Sequence, residues 1–123
     1  MILPRAEDAI VEEKKLLGYL LNFEHDDGKD KAAFFVRFGF SRERWRELAE
    51  ALKGHAIKNA LVKTVESAFG TRYVVEGPMR APDGRAPWVR TVWIVEAEEA
   101  LRESPPRLVT AYPLQERSDD SRA

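Results

Sequence analysis

His25 and Lys31 flank a polar turn, His25-Asp26-Asp27-Gly28, that separates two apolar stretches, Tyr19-Leu20-Leu21 and Ala32-Ala33-Phe34-Phe35. A histidine titrates near neutral pH and can carry protons, and a lysine can neutralise developing negative charge. A short loop held between apolar anchors is a good place to display such groups from a rigid scaffold. The competing reading is local: His25 sits at a helix C-terminus and Lys31 pairs with Asp27 or Asp30. His25 with Asp26, Asp27 and Asp30 is also a conceivable magnesium or manganese set, but Lys29 and Lys31 compete for those carboxylates. No metal and no cofactor is therefore expected.

A second set lies later in the chain. Arg72, Arg90 and Arg107 each fall in an extended segment, with Tyr73, Trp88, Trp93 and Tyr112 interleaved. Arginines and aromatics on one sheet face suit a ribose-phosphate or base-stacking surface. Ordinary cross-strand pairing would account for them equally. Thr110 and Tyr112 are two residues apart, so both project from the same face of a strand. Their hydroxyls could bind a phosphate, or Tyr112 could simply pack at the sheet end. His55, beside Lys53 and Lys58, reads as a capping or surface histidine. Nucleophile-elbow, phosphate-loop and paired-histidine zinc patterns are all missing from the sequence, which removes the common hydrolase and nucleotide-binding classes.

The elements that must position these residues follow from periodicity. Leu16, Leu17, Leu20 and Leu21 mark a short amphipathic helix over 12–21, with Glu12 and Glu13 at its start. A second helix is expected over Asp30–Phe38, capped by Asp30, with a stripe of Phe34, Phe35 and Phe38 and a stop at Gly39. Ser41 caps a third helix through Trp45, Leu48, Ala49 and Leu52 that fades near Gly54-His55. The period then drops to two. Strands are expected over Leu61–Ser67, Arg72–Glu76, Trp88–Glu96 and Arg107–Tyr112, with Trp88–Glu96, apolar on both faces, in the sheet interior. The expected fold is α+β: about three N-terminal helices, then a four-stranded antiparallel meander with the helices on one face. Residues 1–114 read as one domain and 115–123 as a polar, disordered tail.

Composition sets outer bounds. The chain has 123 residues, 44% hydrophobic and 33% charged, a size and balance suited to a single globular domain. It has no cysteine, which excludes disulfides, thiolate catalysis and Cys-based zinc sites. Arginine outnumbers lysine 13 to 7, a thermophile-like bias. Residues 1–27 carry a formal charge of −4, 28–94 of +6 and 95–123 of −3. A basic middle can face phosphates, whereas the total of −1 argues against coating nucleic acid by bulk charge. No signal-peptide pattern or membrane-length apolar run is present, so a cytoplasmic protein without a membrane partner is expected.

Lys15-Leu16, Tyr19-Leu20-Leu21-Asn22, His25, Gly28, Lys31-Ala32, Gly39-Phe40, Thr91-Val92-Trp93-Ile94 and Thr110-Ala111-Tyr112-Pro113 together resemble a family of small bacterial and archaeal proteins known only as a domain of unknown function. The resemblance runs from about Leu3 to Leu114 and implies no activity. A fold-level likeness to barnase/EndoU/colicin-type ribonuclease toxins implies more. Such proteins pair an early histidine and lysine with an arginine and a late threonine or tyrosine. The matching positions are His25, Lys31, Thr110 and Tyr112 as catalytic residues and Arg72 or Arg90 as substrate-binding ones. One departure is Asp26, where relatives often have proline, which adds negative charge near an approaching phosphate. The implied function is a metal-independent endoribonuclease of a toxin–antitoxin pair, with His25 activating the ribose 2′-hydroxyl. RNA and a small cognate protein would then be its partners. The alternative is a non-enzymatic module that binds a protein or associates with itself.

Overall fold

The computed structural model describes residues 1–100 and 104–114. The tail expected over 115–123 lies outside the described residues. The helices are α1 (Glu13–Lys15, continuing as a wider π turn over Leu16–Leu20), α2 (Lys29–Arg37), α3 (Trp45–Lys58) and a short α4 (Ala97–Ala100). The strands are β1 (Leu61–Ser67), β2 (Gly70–Pro78), β3 (Trp88–Glu96) and β4 (Arg107–Pro113). They form one antiparallel sheet in the order β1-β2-β3-β4, so the α+β architecture with helices ahead of a meander is as expected. Helix α4 was not anticipated. Helix α3 also runs through Gly54 and His55 to Lys58.

Register assigns the two faces of the sheet. Val89, Thr91 and Trp93 of β3 stand opposite Gly77, Val75 and Tyr73 of β2, and directly opposed residues share a face. That inner face meets the helices: Val75, Val89, Thr91 and Trp93 are fully buried with Leu16, Leu20, Leu21, Phe35, Leu48 and Leu52. Each large apolar side chain so buried contributes roughly 1.5–3 kcal/mol. The outer face carries the alternate residues, in rows such as Glu76-Arg90-Tyr112 and Val74-Val92-Thr110. Strand β1 is exposed from Val62 onward.

The first helix departs from a regular α pattern for a reason legible in its leucines. Leu16, Leu20 and Leu21 are all fully buried, and adjacent residues diverge by about 100° on a 3.6-residue helix. The turn widens instead, with Leu21 N–H donating to the Leu16 carbonyl at 2.7 Å. Arg42 completes this end by donating to the carbonyls of Leu17 and Leu21 at 2.7 and 3.0 Å. Such turns often accompany functional sites, and this one carries Tyr19.

Candidate functional site at the β4 edge

The first helical segment and α2 reach past the β4 edge of the sheet. There Tyr19 Oη and Thr110 Oγ1 lie 2.8 Å apart. The Tyr19 ring also meets the His25 ring, centroids 5.0 Å apart. Lys31 Nζ lies 5.4 Å from the Tyr19 ring and 5.8 Å from the Tyr112 ring. On the far side, Arg90 donates to Tyr112 Oη at 3.0 Å and to Glu76 Oε2 at 2.7 Å. Five of the six residues singled out from sequence therefore share one surface: His25, Lys31, Arg90, Thr110 and Tyr112. Tyr19 joins His25, Lys31 and Thr110, and Lys31 links them to Tyr112 and so to Arg90; sequence reasoning assigned Tyr19 no role. Glu76 was missed too.

Arg72 is the exception. It projects from the same outer face but in the row of Ile94 and Arg107, four residues from Glu76 along β2. At strand rise that is about 13 Å. Arg72 is exposed and makes no ion pair among the described residues.

The loop that sets His25 is built by close approach. A Cβ at Gly28 would lie 2.2 Å from the Tyr19 carbonyl oxygen, so only glycine lets the start of α2 press against the turn carrying Tyr19. Asp30 does not cap α2. Gly28 precedes α2 without a side-chain cap, and the His25 ring instead closes the turn before the helix, its Nδ1 accepting the N–H groups of Asp27 and Gly28, each at 3.0 Å. These two donors assign the neutral ring's proton to Nε2. As held, His25 presents an N–H donor to the surface, and taking a proton at Nε2 would first require giving up both amides. Lys31 donates to the Asp27 carbonyl at 2.9 Å rather than to a carboxylate. Hydrogen bonding to Tyr112, then to Glu76, raises the Arg90 pKa, so its cation is held on this face at every working pH. No cluster of three or more metal-ligating side chains occurs among the described residues.

His55 is neither a cap nor a surface residue. It is 2% exposed, and its Nε2–H faces the carbonyls of Val89 and Gly77 at 2.9 and 3.1 Å. Its Nδ1 lies 3.2 Å from Thr91 Oγ1, which in turn accepts Trp93 Nε1–H at 2.9 Å. Each side-chain polar atom of His55, Thr91 and Trp93 thus has a partner, as buried polar groups require. Burial depresses the His55 pKa below its ordinary 6.5, although the two backbone carbonyls oppose the shift. It therefore stays neutral and structural.

Among the described residues no helix is long and apolar enough to cross a membrane. No curated protein is similar in sequence. A solved chain from the contact-dependent growth inhibition toxin–immunity protein complex of Klebsiella pneumoniae 342 shares the fold, with a TM-score of 0.67 and 20% identity over 85% of this chain and 99% of that one. The model of the family described as Domain of unknown function (DUF6883) matches residues 2–115, and the chain belongs to that family.

Proposed function

We propose that this protein is a metal-independent endoribonuclease-like toxin restrained by a small cognate protein. The observation that carries the reading is the convergence of Lys31, Arg90, Thr110 and Tyr112 with Tyr19 at the β4 edge of the outer sheet face. Two cations beside three hydroxyls suit a phosphodiester whose phosphorus gains negative charge in the transition state. The fold shared with a chain from a toxin–immunity complex supports the toxin setting.

In this reading the scissile phosphate draws the Arg90 guanidinium toward itself, and Lys31 neutralises the second oxygen. Arg90 thereby loosens its hold on Glu76, whose carboxylate takes the 2′-hydroxyl proton. The 2′-oxygen bonds to phosphorus, the bond to the 5′-oxygen breaks, and the leaving oxygen is protonated from solvent. The products are a 2′,3′-cyclic phosphate and a 5′-hydroxyl. His25 acts as a donor through Nε2–H and closes the turn that leads from Tyr19 to Lys31, and is not the base.

The test is cleavage of single-stranded RNA in excess chelator, with the ends identified by mass. Glu76→Gln is expected to lower kcat by about 10²–10⁴, the usual worth of a general base. His25→Ala, losing the neutral Nε2–H donor to the substrate, is expected to cost about tenfold in rate from that bond. An inactive His25→Ala beside a fully active Glu76→Gln returns the base to His25. An inert wild-type chain overturns the reading.

A different observation favours a purely protein-binding module. Strand β1 is an open edge, exposed on both faces, and Phe69 at the tip of its hairpin is 81% exposed. The two readings part on the same assay, since a binding module leaves RNA intact.

A further inference from the structure

Beside the phosphate cluster lies a groove of about 770 Å³ between α2 and the outer end of β3. Phe34 of α2 and Phe38 just past its end form one wall, their rings 5.0 Å apart, and Trp88 also lines the groove. Arg37 and Arg85 edge it, with Arg85 stacked 4.2 Å over the Phe38 ring, and Asp30 lies at the end nearest Lys31. Trp88 is 47% exposed, an unusual place for so large an apolar ring. The groove continues the site already described. Trp88 shares the outer face with Arg90 two residues on, about 7 Å at strand rise. Phe34 lies one helical turn beyond Lys31.

We infer that this groove is the base subsite of the RNA site: an unpaired nucleobase next to the bound phosphate stacks on Trp88 against the α2 aromatics. The inference rests on the RNA-cleavage reading above and names its substrate as single-stranded. An aromatic platform between arginines is sequence-tolerant, since every base has a π-face and cationic edges favour the adjoining phosphates. A base still paired in a duplex cannot enter, so the groove excludes double-stranded RNA.

The experiment compares wild type, Trp88→Ala and Trp88→Phe on a short single-stranded RNA and on the same sequence in a perfect duplex. Binding of a non-cleavable 2′-deoxy analogue is measured alongside, and circular dichroism checks the fold of each variant. Trp88→Ala is expected to raise KM and the analogue's Kd about tenfold, the scale of one lost base–aromatic stack, with kcat within about twofold. Trp88→Phe, which keeps a ring, should stay near wild type. Wild type should cleave the duplex at least about tenfold more slowly, as an unstacked base is required. If wild type cleaves RNA but Trp88→Ala leaves KM unchanged, or the duplex is cut equally well, the subsite is overturned and the RNA reading stands. If wild type neither cleaves RNA nor binds the analogue, both fall.

Discussion

The two faces of β3 each pair a tryptophan with a polar residue, for opposite ends. On the inner face, Thr91 and Trp93 close a buried hydrogen-bonded chain with His55. On the outer face, Arg90 reaches Glu76 and Tyr112 at the edge of solvent, beside an exposed Trp88. Inside, low dielectric makes any unpaired polar atom costly, so each has a partner and none is left for a ligand. Outside, water tolerates exchange of partners, so Arg90 can leave one acceptor for another. A strand that alternates every residue can thus hold the fold and present the site at once.

Breaking the inner face should produce the largest effect on stability. His55→Ala leaves the Gly77 and Val89 carbonyls without that donor and opens a cavity. A loss of about 3 kcal/mol or more is expected in urea unfolding. RNA cleavage per folded molecule should be unchanged. A loss of activity without a loss of stability would place His55 in the site.

The pH response sharpens the same contrast. Because the His55 pKa is lower folded than unfolded, the unfolded chain binds more protons between the two values. Its contribution to stability is complete above about pH 6.5 and is lost as the pH falls through that value toward the folded one. Urea midpoints measured from pH 8 to pH 5 should decline over this window. Thr91→Val, which removes the hydroxyl facing Nδ1, should alter the decline. An identical decline in that variant would assign it to other groups.

The smallest effect should come from Arg72→Ala. Arg72 is on the outer face without belonging to the cluster, so stability should move by less than about 0.5 kcal/mol. Cleavage should fall far less than on Arg90→Ala. Equal losses in the two variants would spread the phosphate site across the whole face and remove its localisation at β4.

Much of the scaffold was legible because its signals are local. The alternation in Trp88–Glu96 and the two apolar faces of that segment identify an interior strand before any fold is known, and β3 has those bounds and that place. The convergence of His25, Lys31, Arg90, Thr110 and Tyr112 was anticipated only as residue types with compatible chemistry. Arg72 and Arg90 looked alike as strand arginines. Only the register, which puts Arg90 opposite Tyr112 and Arg72 opposite Ile94, separates them. His55 was misjudged because flanking lysines suggest solvent. Lys53, two residues away, projects from the other side of α3, and Lys58, although one turn on, is exposed at the helix end, so neither reports on the face that His55 turns to the sheet.

By itself, the sequence determined the order of helices and strands, their change of period near Leu61, and the stop of α2 before Gly39. These are short-range matters of side-chain alternation, steric freedom and turn chemistry. The tertiary structure alone decided that Tyr19 meets Thr110, 91 residues away, that His55 is sealed in the core, and that Trp88 faces an open groove. Long-range packing sets those distances, and a hydrogen bond or a ring contact depends on distance and direction in space, which no spacing along the chain specifies.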